Sequence, residues 1–402
     1  MTRVGIVGNG LAGVIAAKTL REAGFDGEIE IFAREKYPYY PRPNLIEHLA
    51  GRLPAERLFA FPESWYVERR IRVRLATPSR RILSEPLAVE LSSGQRVEFD
   101  RLLLADGASC FIPPMAGADK KGVFSLRTWD DALSILEDLQ DHRRVAVLGG
   151  GLLGLEIARA LAARGASVRV VEFFDRLLPR QLDPQGAAVL RTQIEKSGIA
   201  VRLGIATEEI FGSDRVAGLK FKDGSAMDAD MAIVAAGVRP NLDLAKDAGL
   251  AVERGVVVDD RLRTNRPGIF AAGDNTQHQG RLYGIIPAAF EQARAAAFNI
   301  LDRDKAYRGT LPSNTLKVAG LSLTSVGEAV PEGGGVEEIR KEDPERGLYK
   351  KIVLKEGRLV GAIWMGTREG APQVSKAVSQ KADVSRWKKE ILEDGFDFAR
   401  LG

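Results

Sequence analysis

Two glycine-rich stretches decide the fold: Gly8-Asn9-Gly10-Leu11-Ala12-Gly13 and Gly149-Gly150-Gly151-Leu152-Leu153-Gly154. Each follows a short apolar run, Val4 to Val7 in the first case and Val145 to Leu148 in the second, and each precedes a segment typical of a helix. The pattern G-x-G-x-x-G between a strand and a helix is typical of a dinucleotide-binding loop. The first glycine forms the tight turn, the second lets the backbone approach a pyrophosphate, and the third lets the helix pack on the strand. Two such loops predict two nucleotide sites.

The residues after each loop repeat the same arrangement. Gly24 follows the first predicted helix at the same spacing as Gly165 follows the second, and glycine is a common residue just past a helix end. A β-prone run comes next in both cases, Ile29 to Phe32 and Val168 to Val171. We therefore predict two βαβ units, each the nucleotide-binding half of a doubly wound α/β sheet.

The residue after the second β run predicts which nucleotide binds. In the second unit this residue is Glu172, where a carboxylate accepts hydrogen bonds from the ribose hydroxyls and repels a 2′-phosphate. The second loop is therefore expected to prefer NADH to NADPH, although Arg169 and Arg176 are close in sequence and would weaken that preference. The first unit has Ala33 at this place, with Glu35 shortly after it as a displaced acidic ribose partner.

Composition excludes several classes of protein. The chain has 402 residues and one cysteine, Cys110, which excludes an internal disulfide and a cysteine-rich zinc site. Its three histidines show no metal-ligand spacing, so no metal site is expected. No apolar run reaches the roughly 18 to 20 residues that span a bilayer. The first strand begins too early in this sequence for a signal peptide, so we expect a cytoplasmic protein.

Arginines crowd one short stretch of the chain: Arg69, Arg70, Arg72, Arg74, Arg80 and Arg81. Arg70, Arg72 and Arg74 alternate with apolar residues, so a strand would place them on one face. Two interpretations stay open, a solvated face or a docking patch that steers the approach of an acidic partner. Nucleic acid is not expected, because no motif that reads nucleic acid accompanies the charge.

Further segments make the chain resemble a known family. Tyr39 to Leu45 is similar to the stretch Y-x-R-P-x-L, Leu126 to Thr128 to the segment L-R-T, and Gly268 to Asp274 to the motif G-I-[FY]-A-x-G-D. Over essentially its whole length the chain resembles the FAD- and NAD(P)H-dependent pyridine-nucleotide oxidoreductases. Within that family it is most similar to the NAD(P)H:rubredoxin oxidoreductases and to the flavin part of NADH-dependent nitrite reductases.

The resemblance implies a glutathione-reductase-like architecture, with two Rossmann-like three-layer nucleotide-binding domains and a small C-terminal α/β domain. The implied boundaries are 1–108 and 242–306 for the FAD-binding domain, 109–241 for the NAD(P)H-binding domain and 307–402 for the C-terminal domain. In the last domain we expect Gly320 to Gly327 as the first strand and Leu359 to Met365 as a later one.

The resemblance also implies that the first loop binds FAD and the second binds NADH, with NADPH less expected. Arg42 would reach the FAD pyrophosphate, Asp274 would meet the ribityl hydroxyls, and the helix opening at Pro287 would point its positive end at the flavin. Asp106 stands where the family has the threonine of an A-T-G segment. A carboxylate there would be repelled by a pyrophosphate, so either it points away or the local contact differs.

The full set of expected cofactor-binding residues follows from these segments. It comprises Gly8, Asn9, Gly10, Leu11, Ala12, Gly13, Arg34, Glu35, Arg42, Pro43, Ser79, Ala105, Asp106, Gly107, Arg127, Gly273, Asp274, Ile286, Pro287, Ala288, Gly149, Gly151, Leu152, Leu153, Gly154, Glu172 and Gly237.

Two acidic residues are the expected catalytic groups. By the resemblance, Glu156 borders the gap between nicotinamide and flavin. Some relatives pair this glutamate with a lysine in the segment after R-P-x-L, and here that position is Glu47. Two neighbouring acids would raise the pKa of one of them. The alternative is that Glu47 is an ordinary residue on a helix surface.

The resemblance implies an enzyme that passes hydride from NADH to FAD and electrons on to an external acidic carrier protein, a rubredoxin or a small ferredoxin. Positions 42 to 47, where some relatives hold a reactive cysteine, contain none. Two alternatives stay open: a redox-sensing module that binds FAD and NADH, and the flavin subunit of a nitrite-reductase-type complex with a separate sirohaem and iron–sulfur partner. A monomer or homodimer is expected.

Overall fold

A computed structural model describes residues 2–318, 320–331, 333–388 and 390–401 of the chain. The described residues form nine α-helices: α1 (Leu11–Glu22), α2 (Asn44–Leu49), α3 (Glu63–Glu68), α4 (Trp129–Asp138), α5 (Leu152–Ala162), α6 (Pro184–Lys196), α7 (Asp243–Asp247), α8 (Ile286–Ile300) and α9 (Ala371–Ser379). Among these residues, no helix combines the length and the apolar character needed to cross a membrane.

The strands of the described residues are, in chain order, β1 (Arg3–Val7), β2 (Glu28–Phe32), β3 (Ile71–Arg74), β4 (Ser79–Ser84), β5 (Leu87–Leu91), β6 (Arg96–Glu98), β7 (Arg101–Leu104), β8 (Ala108–Cys110), β9 (Val123–Phe124), β10 (Arg144–Leu148), β11 (Ser167–Val171), β12 (Ala200–Arg202), β13 (Thr207–Phe211), β14 (Gly218–Phe221), β15 (Ala226–Asp228), β16 (Met231–Val234), β17 (Val238–Pro240), β18 (Val256–Val258), β19 (Ile269–Ala271), β20 (Thr276–His278), β21 (Arg281–Leu282), β22 (Ser313–Val318), β23 (Leu321–Gly327), β24 (Glu337–Asp343), β25 (Leu348–Lys355) and β26 (Arg358–Met365).

The chain divides into two compact units. The first consists of Met1–His48, Leu53–Ser109 and Val238–Thr310, and the second of Leu49–Arg52, Cys110–Gly237 and Leu311–Gly402.

A five-stranded parallel sheet lies at the centre of the first unit. Its strand order is β19-β7-β1-β2-β3, and Val4 of β1 is in register with Ile29 on one side and Arg101 on the other. Apart from their first residues, β1, β2 and β7 are buried, as expected for parallel strands covered on both faces, and Glu30 of β2 is the one charged residue among these buried positions. The predicted unit β1-α1-β2 is therefore confirmed. Because the strands are parallel, the segments that follow β1, β2, β7 and β19 all leave the sheet at one edge.

The second unit contains a parallel sheet of the same design. Its order is β12-β11-β10-β16-β9, with Val145 of β10 in register with Val168 and Met231. The predicted unit β10-α5-β11 is confirmed as well. Each glycine loop thus leaves the central strand of its sheet and enters a helix, which is where dinucleotides bind in doubly wound folds.

The arginine-rich stretch forms the predicted face only in part. Arg72 and Arg74 lie on β3, an edge strand, but Arg70 precedes it with a φ of 52° and is not part of the strand. Arg74 donates to buried Glu30 at 2.5 Å and to Gln95 at 2.9 Å, so its charge is balanced inside the unit. The prediction of one alternating arginine face is therefore wrong for Arg70.

The end of the chain forms a five-stranded antiparallel sheet, in the order β22-β23-β26-β25-β24, with α9 packed on it. β26 confirms the strand expected at Leu359 to Met365. β23 matches the strand expected at Gly320 to Gly327, but β22 precedes it, so the expectation that it comes first is wrong. The mixed polar and apolar residues of β22, Ser-Asn-Thr-Leu-Lys-Val, gave no strong strand signal.

Buried charged side chains join this sheet to α6 within the second unit. Asp183 caps α6 by accepting a hydrogen bond from the Gly186 N–H at 3.0 Å, and it also accepts from Tyr349 Oη at 2.7 Å. Lys351 Nζ, whose side chain is 1% exposed, lies 3.0 Å from Asp183 and 2.8 Å from Glu338. Burial opposes ionisation of Asp183, but these hydrogen bonds prevail and lower its pKa. Loss of one partner would leave the other charge buried and uncompensated.

Asp183→Asn is therefore expected to lower the melting temperature of the protein at pH 7. Breaking a buried pair costs about 3–5 kcal/mol, whereas the control Glu195→Gln, in an exposed pair with Arg191, should cost about 0.3–0.5 kcal/mol. Since the pKa of Asp183 is depressed, its stabilising effect should be complete above the ordinary Asp pKa of about 3.9 and decline as the pH falls further. Equal melting temperatures for the two variants would contradict this role.

Candidate functional site

The two glycine loops share one local geometry. Gly8 has a φ of 109° and Gly149 a φ of 125°, values that favour glycine. A Cβ on Gly13 would lie 2.0 Å from the carbonyl oxygen of Gly8, and a Cβ on Gly154 would lie 2.0 Å from that of Gly149. Each helix therefore approaches its loop more closely than any residue with a side chain would permit.

The middle glycine of each loop faces open space. Gly10 and Gly151 are the N-cap residues of α1 and α5, neither helix has a side-chain cap, and a Cβ on either glycine would meet no atom within 4 Å. The first N–H groups of a helix have no partner within the helix, and they carry a partial positive charge. Uncapped amides beside open space fit a pyrophosphate at both loops.

In the first unit, other predicted residues converge on the loop. A Cβ on Gly8 would lie 2.2 Å from the carbonyl oxygen of Ala105, and a Cβ on Gly273 would lie 3.1 Å from the Cβ of Ala12. The segments Ala105 to Gly107 and Gly273 to Asp274 therefore border the loop. Gly273 also donates its N–H to the buried Gln292 side chain at 2.9 Å, which ties this segment to α8.

Two buried polar atoms fit a ligand in this region. Asn9 Oδ1 accepts a hydrogen bond from Tyr66 Oη at 3.0 Å, whereas Asn9 Nδ2 and Ser79 Oγ are buried without a hydrogen-bond partner among the described residues. Burial raises the pKa of Tyr66, so its hydroxyl remains a neutral donor. Buried polar atoms are normally hydrogen-bonded, so these two fit a polar ligand such as FAD.

Arg42 and Glu35 form an ion pair. Arg42 Nη2 lies 2.5 Å from Glu35 Oε1, and the Tyr40 hydroxyl contacts both side chains. The segment leading to Ser79 runs alongside, with the Thr77 N–H donating to the Ala33 carbonyl at 2.7 Å. The structure thus brings Glu35, Arg42 and the segment before Ser79 together, while Arg34 and Pro43 are exposed. The contact between Arg42 and a pyrophosphate stays a prediction.

Asp106 has a local contact of its own. Its Oδ1 accepts from Asn275 Nδ2 at 2.7 Å, and its backbone carbonyl accepts from Asn241 Nδ2 at 2.7 Å. Loss of hydration raises the pKa of Asp106 to about 7, against the lowering effect of the Asn275 hydrogen bond. The difficulty raised by a carboxylate beside a pyrophosphate is therefore reduced, because this group retains its proton up to near neutral pH.

The helix expected at Pro287 is confirmed as α8, with Pro287 in its first turn and no side-chain cap at its N-terminus. Ile286 at its start is 55% exposed, which is unusual for a large apolar side chain. An uncapped N-terminus can stabilise negative charge on a ligand. The role of Ile286, Pro287 and Ala288 beside the flavin stays a prediction.

In the second unit, Glu172 is held at the end of β11. Its side chain is buried, with one oxygen accepting from the Gly150 N–H at 2.5 Å and the other from the Phe174 N–H at 2.8 Å. Each carboxylate oxygen can accept a second hydrogen bond. This arrangement fits the predicted role of Glu172 towards ribose hydroxyls next to the loop.

The other predicted residues are divided between the units. Glu156 lies on α5, where its carboxylate is 3.5 Å from Arg159 Nη2. Glu47 lies on α2 in the first unit, and its carbonyl accepts from the Leu53 N–H. Arg127 directly precedes the capping box that begins α4, and Gly237 has a φ of 97° before β17. A joint role of Glu47 and Glu156 stays a prediction, but Glu156 has a basic neighbour on its own helix.

Several residues that shape these sites were missed at the sequence level: Tyr66, Asn275, Asn241, Gln292 and Arg159. Asn275 could have been found, since it directly follows the Gly273-Asp274 motif. Arg159 lies one helical turn after Glu156, a spacing at which side chains meet. Tyr66 and Asn241 are distant in sequence from the residues they contact, so no local pattern indicated them.

Comparison with known proteins identifies the class that this geometry indicates. The chain belongs to the pyridine nucleotide-disulphide oxidoreductase family, whose model matches residues 2–296. The model for the rubredoxin NAD+ reductase C-terminal domain matches residues 312–382. These matches confirm the predicted resemblance, the α/β fold and membership of an oxidoreductase family, and they support the cofactor pair FAD and NADH.

Individual relatives cover nearly the whole chain. The nitrite reductase [NAD(P)H] of Bacillus subtilis (strain 168) is 36% identical over 96% of this chain and 48% of its own length. The rubredoxin-NAD(+) reductase of Pseudomonas putida is 32% identical over 91% of this chain and 97% of its own length. The crystal structure of the covalent putidaredoxin reductase–putidaredoxin complex superimposes with a TM-score of 0.90 at 26% identity, covering 100% of this chain and 98% of that chain.

The chain spans about half the length of the Bacillus subtilis nitrite reductase. A second Bacillus subtilis relative, the assimilatory nitrate reductase electron transfer subunit, is likewise covered over 51% of its length.

Gly10→Ala and Gly151→Ala form a matched pair that tests which loop binds which nucleotide. Because a Cβ has room at both positions, both variants should fold, but the methyl group would occupy the space proposed for a pyrophosphate. We expect Gly10→Ala to weaken FAD binding and Gly151→Ala to raise the KM for NADH, each by about tenfold or more, the equivalent of roughly 1.4 kcal/mol. The flavin content of the purified variants measures the first effect, and NADH kinetics measure the second. If Gly10→Ala raised the KM for NADH and Gly151→Ala weakened FAD binding, the first loop would bind NADH and the second FAD.

Glu172→Ala tests coenzyme choice. Removing a charged hydrogen-bond acceptor from the ribose costs about 1.5–3 kcal/mol, so we expect the ratio of kcat/KM for NADH over NADPH to fall by about tenfold or more. Glu195→Ala, an exposed acid on α6 of the same unit, is the control. An unchanged ratio in Glu172→Ala would remove this residue from coenzyme selection.

Proposed function

We propose that this chain is an NADH-dependent reductase that delivers electrons to an external carrier protein. FAD, when bound, supplies the redox chemistry, accepting a hydride from NADH and releasing electrons to the carrier. The protein supplies binding, orientation and electrostatics.

The main support for this proposal is that the segment after Arg42 holds buried apolar residues and no cysteine. Relatives that reduce thiols or peroxides hold a cysteine there by the resemblance, but Leu45 and Ile46 are buried apolar residues of α2 in this chain. Cys110, the one cysteine, lies on β8 and donates to the Leu126 carbonyl at 3.5 Å. The chain therefore offers no thiol pair to store electrons, which supports an acceptor outside it.

The first unit would hold FAD along one edge of its parallel sheet. The uncapped amides at Gly10 would bind the pyrophosphate, and Asn9 Nδ2 would donate to an oxygen of the cofactor. Asp274 follows β19 at the same edge and would accept from the ribityl hydroxyls. The uncapped N-terminus of α8 would stabilise negative charge on the reduced flavin.

The second unit would bind NADH on the corresponding loop. The amides at Gly151 would bind its pyrophosphate, and Glu172, fixed by two backbone N–H groups, would accept from the ribose hydroxyls. Arg159 Nη2 lies 3.5 Å from the Glu156 carboxylate, on the same helix. Glu156 would then act as a fixed negative charge or acceptor near the nicotinamide.

We further propose three domains. Residues 1–108 and 242–306 would form the FAD-binding domain, residues 109–241 the NADH-binding domain and residues 307–402 the C-terminal domain. The glycine loops in separate parallel sheets and the antiparallel sheet from β22 to β26 support this division. We also propose a cytoplasmic location and a monomer or homodimer, as expected for an NADH-dependent enzyme with one cysteine.

A second candidate is the flavin part of a nitrite-reductase-type complex. It is favoured by the 36% identity to the Bacillus subtilis nitrite reductase, of which this chain spans 48%. Purification from its natural host distinguishes the two, because a complex would carry a sirohaem and iron–sulfur partner, visible in the absorbance spectrum.

Steady-state NADH oxidation tests the proposed function. The FAD-loaded protein is assayed with a rubredoxin and a small ferredoxin, against oxygen and ferricyanide as non-protein acceptors. We expect turnover with one carrier in the range of about 1 to 1,000 per second, well above that with oxygen, and a rate that falls as salt screens the attraction of an acidic carrier. Fast reduction by NADH with no carrier turnover would favour the redox-sensing alternative instead.

A further inference from the structure

Asp106 occupies an unusual place for an acidic residue. It follows β7 directly, and a Cβ on Gly8 would lie 2.2 Å from the Ala105 carbonyl oxygen and 3.1 Å from the Asp106 Cα. The backbone of this segment therefore lies against the first residue of the loop proposed to bind the FAD pyrophosphate. A charged carboxylate at this position would repel the phosphates.

The surroundings of Asp106 oppose a negative charge more than they stabilise it, although the hydrogen bonds from Asn275 and from its own backbone N–H lower its pKa. Asn275 Nδ2 donates to its Oδ1 at 2.7 Å, but this amide is neutral and also donates to the Leu104 carbonyl. The charged groups that act on Asp106 are Arg34, which is exposed, and Asp243 at the start of α7. Among the described residues, Arg34 forms no ion pair with Asp106. Asp274, the neighbour of Asn275, adds a further negative charge at this edge of the sheet.

The hydrogen bond from Asn275 involves one of the two oxygens of the Asp106 carboxyl group. Oδ1 accepts from Asn275, so a proton on Oδ2 would let Asp106 act as donor and acceptor at once. Burial raises the pKa of Asp106 to about 7 in the protein alone. Negative phosphates nearby would raise it further, because a like charge disfavours the ionised form.

We propose that Asp106 is an FAD-binding residue that holds the cofactor as an uncharged acid, and that FAD affinity falls when Asp106 loses its proton. This inference rests on the proposed FAD site in the first unit. The uncharged carboxyl donates a hydrogen bond where the related proteins have a threonine hydroxyl. Binding of FAD then takes up a proton whenever Asp106 of the free protein is ionised.

The direction in which FAD affinity changes with pH follows from the coupling between FAD binding and proton binding at Asp106. FAD binds better to the protonated form, so its dissociation constant is constant at pH values at which the free protein holds the proton. Above the pKa of the free protein, near 7, the dissociation constant rises by up to about tenfold per pH unit. It levels off once the pH exceeds the higher pKa of the complex.

The test is a titration of apoprotein with FAD between about pH 5.5 and 8.5, a range around the pKa of Asp106, followed by flavin fluorescence. FAD has no group that titrates in this range. The wild type should show the rise above neutral pH, whereas Asp106→Asn, which keeps an acceptor for Asn275, should bind FAD with a flat pH profile. Asp304→Asn, which changes an exposed acid of the same unit that pairs with Arg261, is the matched control and should keep the wild-type dependence.

A second measurement does not depend on any variant. Calorimetric titration of wild-type apoprotein with FAD at pH 8, in two buffers of different ionisation enthalpy, reports the protons taken up on binding. We expect uptake approaching one proton per FAD. Flat wild-type binding without proton uptake, or parallel profiles in the wild type and Asp106→Asn, would overturn the role of Asp106. Failure to bind FAD at every pH would instead overturn the proposed function.

Discussion

Both proposed nucleotide sites depend on one steric constraint, the close approach of a helix to the loop that precedes it. The Cα positions of Gly13 and Gly154 lie so near the carbonyls of Gly8 and Gly149 that a methyl group would sit 2.0 Å from the oxygen. This contact brings the uncapped N-termini of α1 and α5 to the carboxyl ends of β1 and β10. The partial positive charge of each helix end is therefore presented to a ligand by packing, and not by any basic side chain.

The same close contact between helix and loop occurs in both units, and the two proposed sites differ in the residues that surround the loop. In the first unit, Asn9 is held by Tyr66, and the Ala105 and Gly273 segments border the loop. In the second unit, the loop amide of Gly150 binds Glu172 directly. One loop is thus surrounded by polar groups from distant parts of the chain, as a large cofactor requires. The other is paired with a single carboxylate suited to a ribose.

Much of this arrangement could be predicted from local sequence, and the rest could not for a physical reason. The strands, helices and turns of both βαβ units follow from apolar periodicity and from glycines at fixed spacing, which are local signals. The contacts of Asp106 with Asn275 and of Asn9 with Tyr66 join residues far apart in the chain. These contacts depend on which strands lie next to each other in the sheet, and the spacing of apolar residues along the chain does not indicate the strand order. Strand β22 was missed because polar residues interrupt the expected pattern. Arg70 fits the alternating pattern of β3 but lies in a turn before it, with a φ of 52°, which the pattern does not indicate.

Acidic side chains near the loops proposed to bind phosphate are the remaining electrostatic difficulty, and the surroundings of the three acids differ. Glu35 is neutralised by the ion pair with Arg42, so an acid and a base act together at the end of β2. Glu172 accepts hydrogen bonds from two backbone N–H groups, one on each carboxylate oxygen. For Asp106, loss of hydration outweighs the hydrogen bonds from Asn275 and from its own backbone N–H and the weaker attraction of Arg34, and this favours the neutral acid. Each of the three acids thus has a different set of partners, an arginine, two backbone amides or a side-chain amide, which is how one fold accommodates carboxylates near both of the loops proposed to bind phosphate.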